Sequence, residues 1–227
     1  MTSAAGTGDF PADGRPEVAL VGRSNVGKSS LINALVRQRV ARTSAAPGKT
    51  RLANIYSVAK GADVPLYLVD LPGYGYARGG VASAQEFEEL TEAYFSRVRL
   101  KADTTTVRIV QLQPDREMAA LLLVDSRHPG LDSDRRAWGW LRETVPNVAV
   151  VATKVDKLAR GERIRAIRQL ESVFEDSVLP VSAVTGEGLD ELWTLIDKLA
   201  NSRRPNSSRQ PSRATARPTR ASRLPKK

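Results

Sequence analysis

The segment GRSNVGKS, residues 22–29, constrains this chain more than any other stretch of its sequence. It has the form G-x-x-x-x-G-K-[ST], in which glycines let the backbone curl so that successive N–H groups point at phosphate oxygens. An apolar run at 18–21 precedes it and a helical pattern at 30–36 follows it. This context predicts a nucleoside triphosphate site in which Lys28 reaches the β- and γ-phosphates and Ser29 ligates Mg²⁺.

Composition favours one globular domain with extra segments. The chain has 227 residues, of which 41% are hydrophobic, and its longest apolar run is far too short to span a bilayer. Residues 1–14 lack the basic and apolar regions of a secretory signal. The absence of cysteine excludes disulfides and thiolate metal sites and fits a reducing compartment. We therefore expect a cytoplasmic monomer without a membrane partner.

The formal net charge of +10 is concentrated at one end of the chain. Residues 201–227 contain nine Arg and Lys residues and no acid, so residues 1–200 are close to neutral. Arginine spaced among Ser, Pro, Thr and Ala cannot bury apolar surface, which predicts a disordered basic tail. The tail is either a non-specific, solubilising extension or an electrostatic arm for RNA phosphates, and composition leaves both open.

Hydrophobic periodicity predicts strands that alternate with helices in a domain at 16–200, after a flexible leader at 1–15. The expected strands are 18–21, 52–58, 65–71, 119–125, 148–153 and 178–182, and the expected helices are 29–37, 84–98, 132–143, 160–174 and 188–200. Such alternation requires crossover connections, so the fold class is α/β, with a mainly parallel six-stranded sheet between helical layers. Residues 100–117 interrupt the pattern as an insertion of unknown role.

Two further features complete the phosphate end of the predicted site. Asp70, Leu71, Pro72 and Gly73 form D-x-x-G at the end of a strand. An aspartate there holds Mg²⁺ through a water, and the Gly73 amide meets the γ-phosphate. Thr50, in the polar stretch between the first helix and the second strand, is the candidate for a second Mg²⁺ hydroxyl.

The base is predicted to be guanine. Thr153, Lys154, Val155 and Asp156 form [NT]-K-x-D at a strand end. The Asp156 carboxylate can accept hydrogen bonds from N1–H and the N2 amino group of guanine, a pair that adenine does not offer. The Lys154 stem would lie along the base plane. After the last strand, Ser182, Ala183 and Val184 can place backbone amides at the guanine O6.

These residues resemble the EngB-type GTPases, bacterial ribosome-assembly proteins of the group that also holds the TrmE, Era and EngA G domains. The resemblance covers about residues 16–200 and is carried by GRSNVGKSS (22–30), ARTSAAPGKT (41–50), DLPGYGYA (70–77), DSRHPG (125–130), TKVDKL (153–158) and VSAVTGEG (181–188). It implies a Ras-like P-loop GTPase domain that binds and hydrolyses GTP with Mg²⁺. It also implies a role in assembly of the large ribosomal subunit, with the subunit precursor and its rRNA as partners, and effects on cell division and septation.

By position, the resemblance assigns nucleotide contacts to Gly22, Arg23, Ser24, Asn25, Val26, Gly27, Lys28, Ser29, Gly48, Lys49, Thr50, Arg51, Leu52, Asp70, Leu71, Pro72, Gly73, Thr153, Lys154, Val155, Asp156, Ser182, Ala183 and Val184. It places Mg²⁺ on Ser29 and Thr50, with Asp70 acting through a water. Three features depart from the family pattern: the insertion at 100–117, the length of the tail, and Lys49 where arginine is usual. Lysine there keeps the charge but loses the bidentate fork.

Tyr74 follows D-x-x-G, where many GTPases have a glutamine that orients the attacking water. We therefore expect slow intrinsic turnover, with Lys28, Thr50, Asn25 and Gly73 as the catalytic candidates. Related G domains with asparagine at the position of Asn25 can bind K⁺ beside the phosphates, which suggests the same here.

Three alternatives stay open. Tyr74 and Tyr76 either stack on RNA bases or pack locally. The protein could be a nucleotide-gated RNA-binding protein with negligible hydrolysis. A third reading, an ATP-dependent P-loop enzyme, is disfavoured by Asp156.

Overall fold

The computed structural model describes residues 2–4, 11, 13–41, 53–61, 64–74, 91–92, 94–95 and 118–201. Its strands are β1 (Thr2–Ala4), β2 (Glu17–Gly22), β3 (Ala53–Val58), β4 (Leu66–Asp70), β5 (Met118–Asp125), β6 (Asn147–Thr153) and β7 (Val178–Pro180). Its helices are α1 (Lys28–Val36), α2 (Asp132–Thr144), α3 (Arg160–Phe174) and α4 (Leu189–Ala200). A single 3-10 turn covers Val155–Lys157, and Thr91, Glu92, Tyr94 and Phe95 are helical.

The strands form one sheet in the order β1-β3-β4-β2-β5-β6-β7. The five neighbouring strands β4, β2, β5, β6 and β7 run parallel, and β3 pairs antiparallel with β4. All eight residues of β5 are buried, as expected for a central strand covered by helices on both faces. The predicted α/β fold with its six strands is confirmed, and the structure adds a seventh.

The seventh strand, β1, comes from the segment whose composition predicts a flexible leader. It pairs antiparallel with β3, with Thr2 opposite Ile55 and Ala4 opposite Ala53. The C-terminal part of the leader also contacts the sheet, because the Tyr67 hydroxyl donates a 2.7 Å hydrogen bond to Asp13 Oδ2. Pairing at a sheet edge uses backbone groups alone, so a small polar segment can join it without an apolar pattern.

The core lies on both faces of the sheet because β2 turns alternate side chains to opposite sides. Ala19 and Val21 face the side covered by α2 and α3, whereas Val18 and Leu20 face the side covered by α1 and α4. On the first side, Trp138 Nε1 donates to the carbonyl oxygen of Phe174 at 3.0 Å, which ties α2 to α3. None of the helices in the described part of the chain has the length and apolar character needed to cross a bilayer.

Candidate functional site

The predicted motifs meet at one edge of the sheet. β2 ends at Gly22, β4 at Asp70 and β6 at Thr153, and these strands run parallel through β5. The carboxyl ends of parallel strands lie at the same edge of the sheet. The phosphate loop therefore has the D-x-x-G segment on one side and, on the other, the two segments predicted to contact the base, 153–156 and 182–184, which we call the base-reading loops.

Two glycines of the phosphate loop hold positions that a side chain could not share. A Cβ on Gly22 would lie 2.7 Å from the carbonyl oxygen of Leu123 on β5. Gly27 has φ 114° and directly precedes Lys28, the first residue of α1. The loop therefore curls around the start of α1, where free backbone N–H groups and the helix dipole favour an anion.

The Lys28 ammonium is buried inside this loop. It donates hydrogen bonds to the carbonyl oxygens of Gly22 at 3.0 Å and Arg23 at 3.4 Å. Burial lowers the pKa of Lys28, and the nearby Asp70 carboxylate opposes that decrease. The loop carbonyls thus hold the cation beside the loop N–H groups, a position that suits phosphate oxygens.

Ser29 and Asp70 form the candidate magnesium site. Ser29 Oγ donates a 2.9 Å hydrogen bond to Asp70 Oδ2. Among the described residues, the buried Asp70 Oδ1 has no hydrogen-bond partner. Burial raises the pKa of Asp70, and the Lys28 charge and the Ser29 hydrogen bond offset part of that increase. A hydroxyl and a carboxylate with an unpaired oxygen are ligands that Mg²⁺ accepts, so these residues fit the ion.

The D-x-x-G segment packs directly on the phosphate loop. A Cβ on Gly73 would lie 2.6 Å from the backbone nitrogen of Ser24, so the close approach requires glycine. The Ser24 N–H donates to the carbonyl oxygen of Tyr74 at 3.1 Å, and Ser24 Oγ donates to the carbonyl oxygen of Gly73 at 3.2 Å. The two segments are therefore joined by backbone contacts.

Tyr74 packs locally, so the alternative in which its ring is free to stack on RNA is wrong for this conformation. Its hydroxyl donates a 2.9 Å hydrogen bond to Asp134 Oδ1 in the first turn of α2, and its ring packs against the core. Burial, together with the Asp134 charge, raises the pKa of Tyr74 far above its usual range. The tyrosine therefore stays neutral as a hydrogen-bond donor.

Hydrogen bonds join the two base-reading loops to each other. Ser182 Oγ donates to Asp156 Oδ1 at 2.7 Å and accepts the N–H groups of Val184 at 3.2 Å and Thr185 at 3.1 Å. The hydrogen bond from Ser182 lowers the pKa of Asp156, although burial partly opposes it. The Asp156 carboxylate is therefore ionised and can accept hydrogen bonds. Val184 is 77% exposed. The prediction that three backbone amides of this loop face the guanine O6 is wrong for Ser182 and Val184, because the Ser182 N–H donates to the Glu187 carbonyl oxygen at 2.9 Å and the Val184 N–H to Ser182 Oγ.

Thr153 and Lys154 turn towards the phosphate loop. The buried Thr153 hydroxyl lies 2.7 Å from the carbonyl oxygen of Val26 and 3.0 Å from that of Val124. The Lys154 ammonium donates to the carbonyl oxygen of Asn25 at 2.5 Å and pairs with Asp125 Oδ2 at 3.0 Å. The Thr153 side chain therefore links the phosphate loop to the sheet. The motif alone could not tell this structural role from a contact with the base.

The sequence patterns gave no role in the site to two acids, Asp125, which opens the DSRHPG segment, and Asp134. Asp125 ends a fully buried strand at the same edge as Asp70, and that shared position was the available signal. Asp134 lies in a first helical turn, where an acid is ordinarily explained by the helix dipole. The predicted switch residues and Tyr76 lie outside the described residues, as do the insertion at 100–117 and the tail after Asn201. The predicted switch residues are Gly48, Lys49, Thr50, Arg51 and Leu52.

The fold and these contacts define a P-loop nucleotide-binding protein of the GTPase class. The model of the 50S ribosome-binding GTPase family matches residues 17–154. A probable GTP-binding protein EngB of Lacticaseibacillus casei strain BL23 is 38% identical over 203 residues, which cover 87% of this chain and 92% of the relative. The chain belongs to the EngB family of GTP-binding proteins.

Solved structures agree with this fold. The crystal structure of a probable GTP-binding protein engB superposes with a TM-score of 0.59 at 23% identity, covering 82% of this chain and 100% of the other. Era in complex with MgGDPNP and nucleotides 1506–1542 of 16S ribosomal RNA superposes with a TM-score of 0.61 at 23% identity, covering 84% and 58%. At these identities the likeness concerns the fold alone.

Proposed function

We propose that the protein is a GTP-binding and GTP-hydrolysing switch that assists assembly of the large ribosomal subunit. One observation carries the nucleotide part: the Ser29–Asp70 pair fits Mg²⁺, the Asp156–Ser182 pair fits guanine, and both lie at the edge of the sheet that holds the phosphate loop. The strand order puts the loop between them, as a bound nucleoside triphosphate with its metal would require.

In this proposal each end of the site has a separate task. The loop N–H groups and Lys28 bind the phosphates, and Ser29 ligates Mg²⁺ with Thr50 as the second hydroxyl and Asp70 acting through a water. Asp156 accepts the two guanine donors, while the backbone N–H of Ala183 faces O6, because the N–H groups of Ser182 and Val184 already donate within the loop. Mg²⁺ supplies charge neutralisation between the phosphates when bound.

We expect slow intrinsic hydrolysis. Tyr74 replaces the glutamine that orients water in many GTPases, and its hydroxyl is engaged by Asp134. Positive charge from K⁺ near Asn25 would compensate in part. The test compares single-turnover hydrolysis in K⁺ and in Na⁺ at equal ionic strength. Equal rates would remove the potassium part of the proposal and leave the rest standing.

The partner part rests on the family and on charge. The matching family is described as 50S ribosome-binding, and the related Era fold has been solved with a fragment of 16S ribosomal RNA. A basic tail with no acid offers electrostatic contact with RNA phosphates. We place the protein in the cytoplasm as a monomer, with disturbed cell division and septation as consequences of its loss.

Co-sedimentation with ribosomal subunits tests this partner. The full chain and a 1–200 truncation are compared with GDP and with a non-hydrolysable GTP analogue across a salt series. Binding to the large subunit that needs the GTP form and survives truncation would support the assembly role. Binding that ignores the nucleotide and vanishes with the tail or with modest salt would mean that the arginines bind any polyanion.

The same preparation separates a switch that hydrolyses GTP from a nucleotide-gated RNA-binding protein with negligible hydrolysis. Large subunits are added to the GTP-bound protein, and phosphate release is followed in a single turnover. Acceleration by subunits supports the switch. Unchanged, negligible release with intact binding would favour the second function.

A further inference from the structure

Asp125 lies between the two ends of the site, and none of the nucleotide motifs includes it. Asp125 is the last residue of β5. In the sheet, β5 lies between β2, which leads into the phosphate loop, and β6, which leads into the base-reading loop at 153–156. Asp125 Oδ1 accepts the Arg127 backbone N–H at 3.1 Å and Arg127 Nε at 2.9 Å. Its Oδ2 accepts Arg127 Nη2 at 2.7 Å and Lys154 Nζ at 3.0 Å. The arginine fork thus fixes the carboxylate with Oδ2 directed at Lys154.

Lys154 crosses the phosphate loop while Asp125 holds it. Its ammonium also donates to the carbonyl oxygen of Asn25 at 2.5 Å, and a Cβ on Gly27 would lie 3.9 Å from Lys154 Cε. Its backbone has φ 61°, a left-handed conformation that lysine adopts at an energetic cost. The side chain of this strained residue is anchored both on the end of β5 and on the phosphate loop, and the two anchors hold it in one orientation.

The carboxylate is ionised in this arrangement. Burial acts to raise the pKa of Asp125, but hydrogen bonds from Arg127 and Lys154 outweigh it and hold the pKa well below its usual range. The Asp125 side chain is 11% exposed and that of Arg127 41%, so the carboxylate is shielded while its arginine partner reaches solvent. The Asp125–Lys154 pair therefore lies in a partly dry environment, where an ion pair is stronger than at the surface.

We propose that Asp125 is a positioning residue that sets the lifetime of the bound guanine nucleotide by holding Lys154 across the phosphate loop. The inference rests on the proposed function, because it takes the Lys154 stem to cover the base. Without the carboxylate charge, the Asn25 carbonyl is the remaining anchor of the ammonium in the described part of the chain. The stem then moves away from the base more often, and the nucleotide dissociates faster while its association rate changes little.

A purely local role for Asp125 makes a different prediction. If it served only to accept the Arg127 backbone N–H and close a turn after β5, asparagine would replace it, because an amide oxygen makes the same contact. Asparagine would not restore the charge that anchors Lys154. The Asp125→Asn variant therefore separates positioning from turn formation.

The experiment follows release of mant-GDP from the full-length protein with Mg²⁺ after addition of excess GDP. Asp125→Asn, Lys154→Met and the double variant form a double-mutant cycle. We expect roughly tenfold to hundredfold faster release from each single variant, as for loss of a hydrogen bond to a charged group. The double variant should release no faster than Lys154→Met alone, because Asp125 acts through that residue.

Asp176→Asn is the matched control, since Asp176 is an exposed carboxylate after α3 at the opposite edge of the sheet. It should release mant-GDP at the wild-type rate. Thermal midpoints of the nucleotide-free variants show that each is folded. If Asp125→Asn does not fold, Arg127→Gln enters the same cycle, because it removes the fork that directs Oδ2.

Wild-type release from Asp125→Asn would overturn the inference. So would additive effects in the double variant, because they would mean that Asp125 acts by a route other than Lys154. Wild-type protein that fails to retain mant-GDP would overturn the proposed function itself, and the inference with it. The failure of each is therefore distinguishable.

Discussion

The two ends of the nucleotide site satisfy their polar groups in different ways. At the phosphate end, Lys28 and Asp70 are buried, burial moves the pKa of each towards its neutral form, and Asp70 Oδ1 has no partner among the described residues. At the base end, Asp125 and Asp156 have pKa values below their usual range because hydrogen bonds and neighbouring cations stabilise the charge. Burial of its charged groups thus destabilises the phosphate end, whereas hydrogen bonds and neighbouring cations stabilise the charged groups of the base end.

This difference indicates that the two ends contribute differently to nucleotide binding. A phosphate group and a divalent cation bring charges that complement Lys28 and Asp70, so their binding relieves the cost of burying both residues. The base end already holds Asp156 in the orientation that Ser182 imposes. Affinity should therefore depend mainly on the phosphate end, and base selectivity on the base end.

The largest effect is expected from Lys28→Met, which keeps the apolar stem and removes the ammonium. GTP affinity should fall by roughly a hundredfold or more, because a charge-assisted contact with the phosphates is lost in a desolvated site. A titration with a fluorescent GTP analogue measures this. Lys60→Met removes an exposed ammonium after β3 and should leave affinity unchanged. If Lys28→Met binds GTP like wild type, the phosphate end does not dominate affinity.

Asp156→Asn should change selectivity instead. The amide offers one acceptor and one donor group where guanine needs two acceptors, so the preference for GTP over ATP should fall by at least about a hundredfold. Competition of GTP and ATP against bound mant-GDP measures the ratio. Asp176→Asn, the same chemical change at the far edge, should keep the wild-type ratio. An unchanged ratio in Asp156→Asn would remove this residue from base recognition.

Asp70→Asn should give opposite changes in stability and in metal-dependent binding. In nucleotide-free protein it removes a buried charge and should raise the free energy of unfolding by about 1 kcal/mol at pH 7, while it weakens Mg²⁺-dependent GTP binding. The folded-state pKa of Asp70 is raised, so the ionised carboxylate lowers the free energy of unfolding at pH values above that pKa. This loss disappears as the pH falls through the folded-state pKa and the carboxyl becomes neutral. The gain should therefore shrink towards acid pH in urea unfolding.

The difference between the phosphate end and the base end would be contradicted if Asp70→Asn destabilised the nucleotide-free protein. Asp125→Asn is the counterpart at the base end and should lower the free energy of unfolding at pH 7. Its folded-state pKa is lowered, so its contribution is present at neutral pH and is lost as the pH falls through that pKa.

Tyr74→Phe should also have a small effect, because it removes only the hydroxyl that joins Tyr74 to α2. The free energy of unfolding should fall by about 1 kcal/mol at pH 7, because the buried Asp134 carboxylate loses a donor. Burial raises the pKa of Asp134, so the loss should diminish as the pH falls and the carboxyl becomes neutral. Urea unfolding of both proteins at neutral and acid pH checks this, and a loss independent of pH would contradict the assigned role of Asp134.

Sequence reasoning reached most of the fold. The six core strands and helices α1 to α4 follow from apolar periodicity, and their ends differ by only a few residues from the patterns, as at β7, which ends at Pro180. The ends of the helix predicted at 84–98 lie outside the described residues. Sequence reasoning missed β1, since a three-residue edge strand paired through backbone groups leaves no hydrophobic signal. It also left Tyr74 open between stacking and packing, because an aromatic between glycines has no pattern that fixes its partner.

By itself, the sequence determined the chemistry of the site and its order along the chain. A phosphate loop, D-x-x-G and [NT]-K-x-D are local patterns, and a parallel sheet brings their strand ends together whatever the remaining packing. Only the tertiary structure decided which side chains meet across elements. Lys154 pairs with Asp125 across 29 residues, and Tyr74 with Asp134 across 60. Such pairs depend on how strand ends and helix starts converge in space, and residue spacing along the chain carries no record of that convergence.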